Sequence, residues 1–170
     1  RVIDRADVVL VQNPETARKI RRAHDAVMLP NALAAPASIP SLPTASSKRG
    51  NRLITAGRLL GWKGTILAIA AMEHVVDPAA VLEIYGEGPQ LDRLQRFAGE
   101  HGLENRVEFK GLIARDDLLA RLAGAAALVH PSLHEEAGFV VSEALALGTP
   151  VVCLDHGGPP LLLAAWPDVP

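Results

Sequence analysis

Short apolar runs recur along the chain after residue 50, and each is followed by a segment in which apolar residues return every three or four positions. The runs are rich in Val, Ile and Leu, which is typical of strands buried on both faces of a parallel sheet. The segments between them have the periodicity of amphipathic helices. The predicted strands are Arg52–Ala56, Val81–Tyr85, Arg106–Phe109, Ala127–His130 and Val151–Leu154.

This alternation predicts an α/β fold with a doubly wound, Rossmann-like parallel sheet, because helices that join parallel strands cross over the sheet in a right-handed sense. If the strand order is the common 3-2-1-4-5, the winding direction reverses between the strand that ends at Ala56 and the strand that ends at His130. Sheets of this type bind ligands at that switch point. The loops 57–64 and 131–138 are therefore the predicted borders of a binding crevice.

The amino-terminal segment differs from this pattern. Asp7–Gln12 predicts a strand, and the run from Asn13 to Glu15 predicts the capped start of a basic helix that ends at Arg22. A stretch rich in Pro, Ala and Ser follows, which is typical of an extended linker. We predict a terminal strand and helix of a preceding domain at 1–30, a linker at 31–50 and the doubly wound domain at 51–170.

Composition and charge narrow the class of protein. The chain is 49% hydrophobic and 21% charged, as expected for a folded domain, and its formal net charge of -2 gives no basic excess for a nucleic-acid partner. The single cysteine, Cys153, lies in an apolar run and favours a reducing, cytoplasmic compartment. The sequence has neither 18 consecutive apolar residues nor an apolar stretch behind a basic start, so we predict no membrane span and no signal peptide within it.

The first candidate loop, Gly57–Gly64, carries Arg58 and Lys63 in a glycine-bearing turn that leads into a helix. Two cations in this position can converge on a diphosphate from the strand end and the helix start. The spacing does not match a Walker A loop. The alternative interpretation is a pair of solvated cations on a surface turn.

The second candidate loop leads into a helix through Gly138. The glycine permits a close backbone approach, and the unpaired N–H groups of the following helix attract an anion. Glu143, near the start of that helix, can accept hydrogen bonds from both hydroxyls of a ribose. The alternative interpretation is that Glu135, Glu136 and Glu143 only stabilise the start of the helix.

Two weaker patterns argue against other classes of site. His130 and His134 are four residues apart, but Pro131 between them disfavours a helical zinc pair, so no metal site is predicted. The Gly86–Gly88 segment contains half of a dinucleotide-binding fingerprint, yet Leu91 stands where the third glycine would be. An NAD or FAD site is therefore disfavoured.

Several short motifs occur together in the order and spacing of one family. They are Gly-Arg-Leu-x-x-x-Lys-Gly at 57–64, Tyr-Gly-Glu-Gly-Pro at 85–89, Val-Glu-Phe-Lys-Gly at 107–111, Glu-x7-Glu from Glu135 to Glu143, Gly-Thr-Pro-Val-Val at 148–152 and Gly157-Gly158. In this combination, residues 51–160 resemble the donor-binding, carboxy-terminal domain of the retaining GT-B glycosyltransferases of family 4, group 1.

The resemblance implies a role for each matching residue. Arg58 and Lys63 would bind the donor diphosphate and stabilise the leaving group, and Glu135 would face the donor sugar; these three are the implied catalytic residues. Glu143 would hold the ribose hydroxyls, and the N–H groups of Gly138, Phe139 and Val140 would contact the phosphate. The base would lie near residues 86–88 and against residues 109–112. The implied donor-binding set is Gly57, Arg58, Lys63, Gly86, Gly88, Lys110, Gly111, Leu112, Glu135, Gly138, Phe139, Val140 and Glu143.

The resemblance also implies the reaction: a sugar moves from a nucleoside diphosphate carrier to an acceptor hydroxyl with its anomeric configuration kept, without a metal or any cofactor besides the donor. The acceptor, a sugar, lipid or small molecule, would be held by an amino-terminal domain that is mostly outside this chain and that could also contact a membrane surface. Two alternatives stay open, a GT-B epimerase or phosphorylase and a non-catalytic nucleotide-binding module. We expect the 170 residues alone to bind nucleotide weakly and not to transfer sugar.

Two features depart from the family pattern. Pro159, Pro160 and Leu161 follow the double glycine where family members usually carry a Glu, and the domain is expected to be incomplete at its carboxyl end. Both features affect the part of the donor site that these carboxy-terminal residues would form.

Overall fold

The computed structural model describes residues 9–12, 14–19, 26–28, 49–135 and 138–164. Its strands are β1 (Val9–Val11), β2 (Ala26–Met28), β3 (Arg52–Ala56), β4 (Val81–Tyr85), β5 (Val107–Gly111), β6 (Ala127–His130) and β7 (Val151–Cys153). Its α-helices are α1 (Pro14–Lys19), α2 (Thr65–Ala71), α3 (Leu91–Glu100), α4 (Arg115–Gly124), α5 (Phe139–Ala146) and α6 (Pro159–Ala164). Short 3-10 turns occupy Gly61–Lys63 and Met72–His74.

The five-stranded sheet has the order β5-β4-β3-β6-β7, and each neighbouring pair is parallel. Numbered within the domain, this is the order 3-2-1-4-5, so the doubly wound prediction is confirmed. The predicted bounds of β3, β4 and β6 match the structure, whereas β5 runs on to Gly111 and β7 ends at Cys153. The switch point lies between β3 and β6, as predicted.

The helices cover both faces of this sheet because successive strand residues point to opposite sides. Ile54 and Leu128 belong to a buried cluster with residues of α4 and α5. Their neighbours Leu53 and Val129 belong to a second cluster with residues of α2 and α3. Two apolar layers thus fix the sheet, and with it the positions of the loops at its carboxyl edge.

A buried carboxylate lies on the first of these faces. Glu83 on β4 is 4% exposed, and its carboxylate accepts a hydrogen bond from Nη1 of Arg52 at 3.1 Å and from the hydroxyl of Tyr85 at 2.8 Å. Burial and the neighbouring Glu83 carboxylate raise the pKa of Tyr85 to about 12. The buried charge is therefore satisfied by two partners, as buried polar groups usually are.

The amino-terminal residues contain one strand more than predicted. β1 pairs in parallel with β2, with Val9 opposite Ala26. The prediction of a single strand and a helix in this segment was wrong about β2, because three residues are too few to show a strand periodicity. α1 starts at Pro14 as predicted, whereas the cap Asn13, the helix end at Arg22 and most of the predicted linker lie outside the described residues.

The last residues of the predicted linker contact the doubly wound domain. The guanidinium of Arg49 donates to the carbonyls of Ala123 and Ala125, each at 3.3 Å. The boundaries at 30 and 50 stay predictions. In the described part of the chain, no helix combines the length and apolarity needed to cross a membrane.

Candidate functional site

The loops that follow β3 and β4 lie against each other at the carboxyl edge of the sheet. A Cβ atom on Gly86 would lie 2.0 Å from the carbonyl oxygen of Gly57, and one on Gly88 would lie 2.5 Å from that of Leu59. The amide of Leu59 donates to the carbonyl of Glu87 at 2.9 Å. The glycines therefore serve a close contact between two backbones, for which only a residue without a Cβ has room.

The loop after β6 joins the same group of loops. The amide of Leu133 donates to the carbonyl of Trp62 at 2.7 Å, and a Cβ atom on Gly64 would lie 2.0 Å from the carbonyl oxygen of Pro131. The loop after β7 also contacts this group, since the amide of Gly158 donates to the carbonyl of Glu135 at 3.0 Å. Loops from both sides of the switch point thus form one connected rim, as the predicted crevice requires.

Lys63 and Glu135 meet across this rim. Nζ of Lys63 lies 2.6 Å from Oε2 of Glu135, and the backbone amide of Gly138 donates to Oε1 of the same carboxylate at 3.2 Å. His130, at the end of β6, has its Nε2 atom 3.2 Å from Oε2. The carboxylate is therefore held by groups from three separate segments.

These contacts set the charge of Glu135. The His130 ring lowers its pKa most, Lys63 and the Gly138 amide lower it further, and burial opposes them; the resulting pKa is about 2, compared with an ordinary value of 4.5. Glu135 is thus ionised at neutral pH and can only accept hydrogen bonds. A group of this kind suits a ligand that presents hydroxyl donors.

The start of α5 presents the predicted anion site in part. Gly138 takes a left-handed conformation with φ 59° and precedes the helix. The first intrahelical bonds are donated by Val141 and Ser142, so the amides of Phe139 and Val140 have no partner within the helix. The Gly138 amide, predicted to contact phosphate, instead binds Glu135.

Glu143 is bound by Arg115, a residue that lies outside all of the sequence motifs. Nε and Nη2 of Arg115, in the first turn of α4, each lie 2.7 Å from Oε1 of Glu143. The structure therefore does not join Glu143 to the cluster of Lys63 and Glu135 through any described hydrogen bond. Arg115 could have been found from its place just after the carboxyl end of β5.

Arg58 shares the first loop with Lys63 but is exposed. Within the described residues its side chain makes no hydrogen bond and no ion pair. It is therefore free to turn toward a ligand in the crevice, at the entropic cost of ordering a long side chain.

A cleft of about 550 Å³ lies beside these loops, on the side of β4 and β5. It is lined by Gly86, Glu87, Gly88, Leu91, Gln95, Phe109, Lys110 and Gly111. Its volume is in the usual range for small-molecule sites. The Nζ atom of Lys110 lies 2.5 Å from Oε2 of Glu108, and Leu112 is 70% exposed. The cleft includes most of the surface where the resemblance places a nucleotide base.

The sheet order, the switch-point rim and the adjoining cleft define a doubly wound α/β domain with a candidate ligand site at its switch point. The family model described as "Glycosyl transferases group 1" matches residues 43–166. The chain belongs to this family of glycosyltransferases.

Individual relatives agree with this assignment. The chain is 31% identical over 162 residues to a 2-deoxystreptamine glucosyltransferase of Streptomyces kanamyceticus, covering 90% of this chain and 41% of the relative. It is 37% identical over 141 residues to a glycogen synthase of Mycobacterium tuberculosis, covering 82% and 32%. The crystal structure of Anabaena HepE in complex with UDP and glucose superimposes with a TM-score of 0.68 at 26% identity, covering 90% and 45%. The chain thus spans less than half of the length of these relatives.

Proposed function

We propose that this chain binds the nucleoside diphosphate sugar donor of a retaining glycosyltransferase, which transfers the sugar to an acceptor hydroxyl. The observation that carries the proposal is the cluster at the switch point, where Lys63, Glu135 and the start of α5 share one rim beside a nucleotide-sized cleft. Cationic and anionic groups so placed match the two halves of such a donor, its diphosphate and its sugar hydroxyls.

The diphosphate would bind between Lys63, Arg58 and the amides at the start of α5. Charge develops on the leaving diphosphate as the glycosidic bond breaks, and cations and helix-terminal amides stabilise it most when they are already in place. Lys63 is held in the rim, and Arg58 is on the same loop. These groups would supply the positive charge for a mechanism without a metal.

Glu135 would accept hydrogen bonds from the donor sugar and orient its anomeric carbon. Orientation is a large part of catalysis when two substrates must meet in one geometry. Glu143, fixed by Arg115, would accept hydrogen bonds from the ribose, and the cleft along Gly86–Gly111 would hold the base. Retention would follow if the leaving phosphate assists deprotonation of an acceptor on the same face.

The named relatives support this choice of substrate class. One is a glucosyltransferase, and the HepE complex contains UDP together with glucose. UDP is therefore the first nucleotide to test. Since the chain spans less than half of these proteins, the acceptor, a peripheral membrane contact and a cytoplasmic location stay predictions for the intact protein.

Calorimetric titration of the chain with UDP, GDP and ADP tests the binding proposal. We expect one of the three to bind, and saturating additions of all three without heat or displacement would contradict it. A product assay on the intact protein then separates the alternatives: a transferase yields a glycosylated acceptor, a phosphorylase a sugar phosphate, and an epimerase free nucleotide without an acceptor. A non-catalytic module would bind and yield none of these, whereas the isolated chain is expected to bind without transfer.

A further inference from the structure

Lys63 has two competing partners in the proposed donor site. In the structure its ammonium group lies 2.6 Å from Oε2 of Glu135. The proposed function also requires this ammonium group to bind a diphosphate, whose charge is larger than that of one carboxylate. The ammonium group of Lys63 must then lie between the two anions or move to the diphosphate. In either case Glu135 loses some of the positive charge that compensates its carboxylate.

Glu135 cannot lose that partner without consequence. Its side chain is 14% exposed, and a carboxylate so far from water needs compensating donors. The amide of Gly138 donates to its other oxygen, Oε1, and so does not replace Lys63 at Oε2. Oε2, which faces Lys63, would need a second donor when a diphosphate attracts the ammonium group.

His130 is placed to be that donor. The residue is 6% exposed at the end of β6, and its Nε2 atom lies 3.2 Å from Oε2 of Glu135. Within the described residues this buried Nε2 atom has no aligned hydrogen bond. A buried nitrogen without such a bond is rare in proteins, and this one already lies 3.2 Å from the carboxylate oxygen.

We propose that His130 is a positioning residue that takes over Oε2 of Glu135 when a nucleoside diphosphate engages Lys63. The Nε2–H group of the imidazole donates to the carboxylate, Lys63 moves toward the phosphates, and Glu135 stays ionised and fixed toward the sugar. This inference rests on the proposed donor binding at the same rim. It adds an exchange of partners to that binding.

A double-mutant cycle on this chain tests the exchange. Calorimetry first identifies which of UDP, GDP and ADP binds the wild type most tightly, and that nucleotide is used throughout. His130→Leu removes the donor, and we expect it to weaken binding about tenfold, because a partly buried carboxylate is left short of a hydrogen bond. His130→Gln keeps an N–H donor and should restore most of the affinity.

The same substitution in a Glu135→Gln background separates positioning from packing. Without a carboxylate to compensate, His130→Leu should leave the affinity of the Glu135→Gln variant unchanged. An equal loss in both backgrounds would show that the ring only fills space and would overturn the exchange, as would an unchanged affinity of the single variant. Failure of the wild type to bind any of the three nucleotides would instead overturn the proposed function, and the exchange with it.

A measurement on the wild-type chain covers the case in which a His130 variant does not fold. Nitrogen-15 labelled histidine gives a separate Nε2 signal for each ring in nuclear magnetic resonance spectra, and through-bond correlation of each ring with its own backbone assigns the His130 signal in the wild type. Saturation with the nucleotide should shift the attached proton of His130 downfield as the bond to Glu135 forms. A His130 signal that stays in place at saturation would overturn the proposal.

Discussion

The ammonium group of Lys63 and the carboxylate of Glu135 lie 2.6 Å apart, although the residues are separated by 72 positions in the sequence. One follows β3 and the other follows β6, the two strands between which the winding of the sheet reverses. The contact therefore ties together the two halves of the domain at its switch point. It also places a cation and a hydrogen-bond acceptor at the edge where ligands of such sheets bind.

Replacement of Lys63 tests its share in diphosphate binding. We expect Lys63→Gln to weaken the binding of a nucleoside diphosphate roughly 10–100-fold, which corresponds to the loss of one charged hydrogen bond. Isothermal titration calorimetry measures the change. Arg121→Gln, an exposed cation in the last turn of α4 at the opposite edge of the sheet, is the matched control and should bind as the wild type does. Equal affinities of the wild type, Lys63→Gln and the control would show that Lys63 does not bind the nucleotide.

The dependence of the free energy of unfolding on acidic pH tests the electrostatic contacts of Glu135. Its pKa is about 2 in the folded chain against an ordinary 4.5, so the contribution of its contacts to stability is complete above pH 4.5 and is lost as the pH falls toward 2. The free energy of unfolding should therefore decrease more steeply over this window in the wild type than in Glu135→Gln. Denaturant unfolding at a series of pH values gives both slopes, and identical slopes would contradict the assigned contacts.

The backbone contact between Gly86 and Gly57 tests the assembly of the rim. A Cβ on Gly86 would lie 2.0 Å from a carbonyl oxygen, and its φ of +130° disfavours other residues. Gly86→Ala should lower the free energy of unfolding by about 1–3 kcal/mol or more, and with it the affinity for nucleotide. Gly124→Ala, where a Cβ meets nothing within 4 Å at the end of α4, is the control and should be neutral or slightly stabilising. Similar stabilities for both variants would show that the two loops are not in contact.

The single tyrosine of the chain reports on the buried pair with Glu83. Tyr85 should ionise near pH 12 in the folded protein rather than near 10, because burial and the Glu83 carboxylate both oppose the phenolate. The interaction of Tyr85 with Glu83 therefore stabilises the fold fully below pH 10, and this stabilisation is lost as the pH rises through 12. The ultraviolet absorbance of tyrosinate follows the titration directly. A midpoint near 10 in the folded chain would place Tyr85 in contact with water.

Much of the domain was predictable because its signals are local. The apolar runs gave the bounds of β3, β4 and β6, and the alternation of strands and helices led to the sheet order and the switch point. The glycines at 57, 86 and 88 were linked to a binding site through a family pattern. Their physical reason, contact between two backbones, depends on loops that only the folded chain brings together.

The partners of the acidic residues were not predictable in the same way. His130 ends a buried strand and looks like an ordinary core residue until the loop with Glu135 folds back over it. Arg115 could be placed near the carboxyl edge of the sheet from its position after β5, but its contact with Glu143, which joins the neighbouring helices α4 and α5, could not be predicted. Contacts of this kind arise from tertiary packing, which a single sequence does not report.

Mapping the nucleotide on the folded chain tests the central claim most directly. Backbone amide resonances are recorded while the tightest-binding nucleoside diphosphate is added to saturation. We expect the largest shifts in the loops 57–64 and 86–88 and at residues 138–140, and small shifts at the opposite edge around Gly50 and Gly124. Shifts concentrated at that opposite edge, or none at all at saturating nucleotide, would contradict a donor site at the switch point.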